Sequence, residues 1–236
     1  MVRERDLRMS FGNLRGNDPV EAQVIAAINR SRQSLDGHVS PLADVDLTGS
    51  DLGEVDLNSL EILNCRFDQC QLRGSDFSGA VLDECSFVEA DLSMAFLWKV
   101  QLSQCDFRST NLLGANLGRS DVFKCDFRGA DMSSGPRLRN GEFTHETGFM
   151  KASFYHCDLR GAKVKDTRWD KGSLGDCLVA GADFSGANGS MLPLPINVGT
   201  REQPEILSGD EALRWFHDAG GRDLVWFAPN EPRTSG

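Results

Sequence analysis

Cysteine is the residue type in this chain whose spacing most invites chemistry. Cys65, Cys85, Cys105 and Cys125 stand 20 residues apart, and Cys157 and Cys177 repeat that interval. Thiols on a fixed interval suit disulfides, a soft metal or redox work. Each of these needs a companion feature. Zinc sites pair C-x-x-C thiols or add imidazoles; the chain has no C-x-x-C, and its four histidines, His38, His145, His156 and His217, fall in unrelated contexts. Paired carboxylates for acid–base chemistry are the next candidate. Asp46, Asp51, Asp56, Asp76, Asp91, Asp106, Asp121, Asp126 and Asp131 are all separated by multiples of five, which marks one recurring polar position rather than a dyad. There is no nucleotide loop or nucleophile elbow. We therefore expect no enzyme activity, no metal and no cofactor.

The elements that carry these residues follow from the interval. Within the clock of 20 runs a clock of five: Ser75-Asp76-Phe77, Ala90-Asp91-Leu92, Ala115-Asn116-Leu117 and Ala130-Asp131-Met132 each give a small, a polar and a large apolar residue before two turn formers. Five matches neither the helical 3.6 nor the strand period of 2. Fixed short periods belong to stacked repeats whose apolar faces are buried only against their neighbours. Five residues per side and 20 per return make four sides per coil. The large centre and the small residue two before it point inward, so cysteine is read as a small buried hydrophobe. Glycines such as Gly74, Gly79, Gly114, Gly129 and Gly161 fall at corners.

The frame holds from Leu42 to Met132, with every centre apolar, then fails between residues 135 and 146 and resumes at Phe149, Phe154, Leu159, Val164, Trp169, Leu174, Val179 and Phe184. Two one-residue bulges would keep Leu138 and Phe143 as centres. A 12-residue loop leaving after Ser134 and rejoining at Thr147 would instead continue the cysteine column from Cys125 to Cys157. The column and the Gly135-Pro136 and Asn140-Gly141 turn signals favour the loop. That leaves 27 repeats, about seven coils, and a rod of about 32 Å at one strand spacing per coil.

The pattern from Ser40 to Gly186 resembles the pentapeptide-repeat family, and the loop and the C-terminal segment make the chain similar to its quinolone-resistance members. The resemblance implies an all-β solenoid: a right-handed four-sided parallel β-helix. It also implies a rod shaped and charged like duplex DNA that binds type II topoisomerases, DNA gyrase or topoisomerase IV, with no direct nucleic-acid binding. The loop residues Arg137, Leu138, Arg139, Glu142 and Phe143 would be the counterparts of the protecting loop, and Asp106, Asp126 and Asp131 would belong to the mimicking surface.

Charge is uneven. Residues 40–134 carry 16 acids against 7 bases, a net of −9, and residues 147–184 carry 5 against 6, a net of +1. A duplex of the same length carries roughly 19 phosphate charges. The alternative function is a protein-interaction scaffold, a regulatory inhibitor or a bacterial adaptor or effector. Its contacts would be the outward aromatics Phe96, Trp98, Phe123 and Tyr155, the column Lys99, Arg119, Lys151 and Lys171, the loop and the tail.

Three segments are expected: residues 1–39, with a capping helix over 19–35 begun by Asp18-Pro19; the β-helix 40–186; and residues 187–236. In the last, Asp210 is expected to cap a helix over 211–219, stopped at Gly220-Gly221. Leu213, Trp215, Phe216, Trp226 and Phe227 need burial, and two rods meeting at their C-terminal ends would supply it as a homodimer. No membrane span or secretory signal is evident, so a reducing cytoplasm is expected.

Overall fold

The computed structural model describes residues 22, 24–26, 29, 41–136, 138, 142 and 144–227. The chain is a right-handed parallel β-solenoid of about seven coils, each with four faces. The first face carries most of the strands: β1 (Leu42–Ala43), β2 (Glu61–Leu63), β3 (Val81–Asp83), β4 (Gln101–Ser103) and β5 (Asp121–Phe123). After β6 (Gly148–Met150) it continues in β7 (Ser153–Tyr155) and the second half of β8 (Arg168–Gly175). Every pairing along it is parallel and in register, Leu42 to Ile62 to Leu82 to Leu102 to Val122 to Phe154 to Leu174. The second, third and fourth faces are ladders of single bridges, such as Asp46 to Arg66, Asp51 to Gln71 and Asp56 to Asp76.

All 27 centres, Leu42 to Phe184, are buried. Phe67, Phe87, Phe107 and Phe127 stack ring on ring at 4.8–4.9 Å with interplanar angles of 1–4°, so the strand spacing is written directly into the core. Small inward residues with polar atoms donate to backbone: Thr110 Oγ1 to the Phe87 carbonyl at 2.7 Å and Ser120 Oγ to the Leu97 carbonyl at 2.6 Å. The cysteines behave alike. All seven are free and buried, and Cys70 Sγ donates to the Leu47 carbonyl at 2.9 Å. Burial pushes the Cys70 thiol up to about 11 and raises those of Cys125 and Cys177 well above the ordinary thiol value.

Most corners after the second, third and fourth faces are hydrogen-bonded turns, as in Ser50 N–H to the Leu47 carbonyl at 2.9 Å. Their third residue has positive φ. Gly74, Gly79, Gly114, Gly129 and Gly161 sit there as expected, but so do 18 non-glycine residues, among them Glu54, Lys99 and Arg119. The left-handed backbone costs such residues roughly 1–2 kcal/mol each. It is offset by the coil-to-coil bond that the same N–H makes, for example Lys99 to the Gly118 carbonyl at 3.0 Å.

The insertion is a loop. Asp121 pairs with Ser153 and Asp126 with Asp158, each 32 residues on, which is one coil plus 12. Thr147 N–H donates to Ser134 Oγ at 2.9 Å, and Ser134 Oγ donates to the Asp166 carbonyl at 2.9 Å. The coil thus closes across the loop's base. Leu138 is half exposed and is not a core centre; Arg137, Arg139 and Phe143 lie outside the described residues.

At the N-terminal side Ala22, Val24–Ala26 and Asn29 are helical and Val24 is buried in the core cluster. The rest of the expected capping helix, Asp18 and Pro19 included, lies outside the described residues. The C-terminal segment differs from a linker. β9 (Asn188–Met191) extends the fourth face; β10 (Ile196–Asn197) and β11 (Ile206–Leu207) form an antiparallel hairpin; β12 (Asp223–Trp226) pairs with β9. Asp176 N–H bonds the Pro195 carbonyl, Asn197 N–H the Cys177 carbonyl, and Phe184 N–H the Ala219 carbonyl. The tail therefore adds an irregular eighth coil. Its helix spans Gly209–Asp218, begins at Ser208 rather than Asp210, and is followed by Gly220 at φ 95°. Phe216 is fully buried, edge-on to Phe184 at 5.1 Å.

Candidate partner-binding surface

With every centre buried, chemistry is left to the outside, and each outward slot has a partner one coil away. On the second face the aspartates from Asp106 onward are paired with arginines. Arg108 grips Asp106 through Nη2 at 2.6 Å and reaches Asp126 at 4.0 Å; Arg128 grips Asp126 at 2.6 Å and reaches Asp158 at 3.8 Å; Arg160 grips Asp158 at 2.7 Å. The Asp158 side chain is only 2% exposed, while the three guanidinium side chains are 47%, 44% and 31% exposed. Burial pushes the Asp126 carboxyl up, but the Arg128 side chain and backbone N–H outweigh it and hold it below the usual carboxylate range. What this stretch shows to solvent is an arginine ladder. Asp106 and Asp126 lie within this ladder as ion pairs, 29% and 23% exposed, and Asp131 on the third face is joined to Lys163 at 3.3 Å.

The aromatics fall on two adjacent faces. On the fourth, Phe96 is 53% exposed, whereas Trp98 is only half exposed because its indole lies on Gly118. A Cβ at Gly118 would come within 2.4 Å of that ring, and Arg119 sits over it at 5.3 Å. On the first face Phe123 and Tyr155, 40% and 41% exposed, stack in successive coils at 6.4 Å. Tyr155 lies on Gly175, where a Cβ would meet it at 2.5 Å. Its hydroxyl bonds Asp176, which raises its pKa. Lys124 stands over Phe123 at 4.9 Å, and His156 packs against both rings. Exposed Lys99, Arg119, Lys151 and Lys171 occupy successive coils along the edge between these two faces. Lys171 covers Phe227 at 4.4 Å.

The tail residues expected at a dimer joint have positions on their own rod. Phe216 is inaccessible. Trp215 and Trp226 pack edge-on around it at 5.3 and 6.3 Å, and Phe227 N–H bonds the Met191 carbonyl. Leu213 is half-buried in the same helix. The loop meets the rod at His145, whose Cβ lies against Gly114, and Glu142 at its tip is exposed. Among the described residues no group of three or more His, Cys, Asp or Glu is placed to hold a metal ion, and no helix is long and apolar enough to cross a membrane. Sequence reasoning missed the arginine ladder, although its signal was present as Asp-x-Arg at 106–108, 126–128 and 158–160. It also missed Arg201, which the hairpin carries back over the rod.

Known proteins agree with this geometry. A family model for pentapeptide repeats matches residues 65–98 and 101–134 in eight copies. No curated protein matches the chain in sequence. Among solved structures, a trypsin-treated variant of QnrB1, a plasmid-mediated fluoroquinolone resistance protein, aligns at TM-score 0.51 and 20% identity over 63% of this chain and 71% of that one. A pentapeptide repeat protein from the Arabidopsis thaliana thylakoid lumen aligns at TM-score 0.36 and 24% identity, over 40% and 70% of the two chains. HetL of Nostoc, involved in heterocyst differentiation regulation, aligns at TM-score 0.24 and 22% identity, over 66% and 80%. The family's repeats are thus matched in the central coils, residues 65–98 and 101–134, and the same parallel register runs through the coils on either side, which makes the chain similar to the pentapeptide-repeat proteins.

Proposed function

We propose that the chain is a non-catalytic protein-binding rod whose partner docks across the edge between the fourth and first faces, over the third to sixth coils. One observation carries this: Phe96 is 53% exposed on the fourth face and Phe123 and Tyr155 are 40% and 41% exposed on the first, with the cationic column of Lys99, Arg119, Lys151 and Lys171 along the edge that separates the two faces. Clustered exposed aromatics with basic residues are the composition of binding hot spots. The rod is divided as residues 1–39, 40–186 and 187–236, the last serving as a cap. Seven free thiols suit a reducing cytoplasm. Capture from a lysate of the source cells, with the intact chain and with residues 135–146 deleted, tests the reading. A specific protein retained by the intact chain supports it, and none refutes it.

A second reading, topoisomerase binding in the manner of quinolone-resistance proteins, has support at one end only. Residues 40–95 carry 12 acids against 2 bases, a net of −10. Those three coils span about 14 Å at the strand spacing, where duplex DNA carries roughly 8 charges. In the same capture, gyrase or topoisomerase IV held by the intact chain and lost with the loop would establish this reading. The homodimer expectation passes to what the cap leaves outside, Leu192, Ile206 and Val225, with β12 last in its sheet. Light scattering at tens of micromolar tests it: a doubled mass supports a joint and a monomer refutes it.

A further inference from the structure

On the rod's other edge, between the first and second faces, lies a groove of about 570 Å3 lined by Gln104, Lys124, His156, Asp176, Asn197 and Arg201. We propose that it binds an acidic segment of a protein partner through that segment's side-chain carboxylates. The proposal rests on the protein-binding reading and names the chemistry the partner must present.

Several of the groove's polar groups already have partners. Asp176 takes the Tyr155 hydroxyl. The Asn197 side-chain oxygen accepts the Gly199 and Glu205 N–H groups, and its amide donates to the Thr200 carbonyl. Gln104 donates to Glu84. The cationic and donor groups that face the groove are Lys124 and His156 in successive coils and Arg201 on the turn between β10 and β11, against the single carboxylate of Asp176 in the lining. The stacked rings of Phe123 and Tyr155 adjoin them and offer apolar surface to aliphatic stems.

Shape selects the occupant. From Gln104 to Asp176 the groove follows four consecutive coils, three steps of roughly 4.8 Å, or about 14 Å. That is the reach of about four residues of extended chain at roughly 3.3 Å each. An elongated track suits a peptide segment better than one compact anion. Charge gives direction as well. The same corner column reads Asp44 and Glu84 in the first three coils, then Lys124 and His156 beyond Gln104, and closes on Asp176, so an acidic segment is repelled over the first coils and attracted where Lys124 and Arg201 stand.

The test is fluorescence anisotropy on the full chain with a short fluorescein-labelled oligoglutamate peptide. The expected result is saturable binding that falls with salt, is absent for the matching oligoglutamine, and weakens about tenfold or more in Lys124→Gln/Arg201→Gln, which removes two charge-assisted contacts. Arg66→Gln/Arg73→Gln, the same charge change at the acidic end, should leave binding unaltered, with melting temperatures matched across variants. Equal binding by both double variants, or no binding by the wild type, overturns the proposal. So does inorganic phosphate that displaces the peptide at concentrations as low as unlabelled peptide does, which makes the groove a phosphate site. Lysate capture run on Lys124→Gln/Arg201→Gln separates the two readings: a partner retained by this variant, when the wild type binds no oligoglutamate, refutes the groove and leaves protein binding standing.

Discussion

Replacing Phe107 by Ala removes the middle ring of the stacked phenylalanine column. Phe107 is 1% exposed and lies between Phe87 at 4.8 Å and Phe127 at 4.9 Å, within 3° of parallel to both. Losing the ring takes away roughly 130 Å2 of buried apolar area, about 3 kcal/mol at roughly 25 cal/mol per Å2. The two stacked contacts add about 0.5–1.5 kcal/mol each. The sum, about 4–6 kcal/mol, reaches the upper part of the range for buried Phe→Ala changes, roughly 3–5 kcal/mol. Neighbouring coils cannot close the gap, because their spacing is fixed by backbone hydrogen bonds on all four faces. Phe123→Ala, the same deletion at a position 40% exposed, should cost less than about 1 kcal/mol. Urea denaturation followed by far-UV circular dichroism measures both. Each coil is stabilised only by its neighbours, so the Phe107→Ala transition should also broaden as the two halves of the rod uncouple. Similar midpoints for the two variants would refute the inward and outward assignment.

Deleting residues 135–146 should leave far-UV circular dichroism and melting temperature nearly unchanged, since Ser134 and Thr147 already touch; a collapse of stability would mean the segment is part of the coil. Gly118→Val should lift the Trp98 indole off the fourth face and red-shift tryptophan emission, the Cβ being 2.4 Å from the ring; unchanged emission would contradict the packing. All seven cysteines are free and buried, so a thiol reagent at about pH 8 should label them only after denaturation; rapid labelling of the folded chain would contradict a closed interior. The carboxyls of Asp46, Asp126 and Asp183 are held below their ordinary values. Such groups stabilise above the unfolded pKa of about 3.9 and lose that contribution as pH falls through the folded value. Stability should therefore be flat from neutral pH to about pH 5 and decline below about pH 4, less steeply in Asp126→Asn.

Much of the fold is legible in the sequence because the repeat is local. A five-residue period places every centre, and Leu42 through Phe184 are buried as that period requires. The loop could be located by the cysteine column alone, since Cys157 must stack on Cys125. What the sequence hides is what one coil supplies to another. Lys99, Glu54 and Arg119 hold left-handed corners that their side chains disfavour, because a carbonyl in the next coil takes their N–H. The carboxylates of Asp106 and Asp126 read as an acidic face until the guanidinium groups two residues on are seen to cover them. Phe216 looked as if it needed a second subunit, since nothing local says that a chain passing through Pro195 and the β10–β11 hairpin returns it to Phe184. The candidate surface was half visible: outward aromatics follow from the period, whereas the groove exists only once the hairpin sets Arg201 beside Lys124 and His156.

Site-specific photo-crosslinking in the source cells addresses the protein-binding edge most directly. A benzophenone side chain is placed in turn at Phe96, at Phe123 and, as a control on the third face, at Asp91. The account predicts one and the same protein partner joined at Phe96 and at Phe123 and absent at Asp91. The same partner at Asp91 with comparable yield, or no partner at either aromatic position, would contradict it.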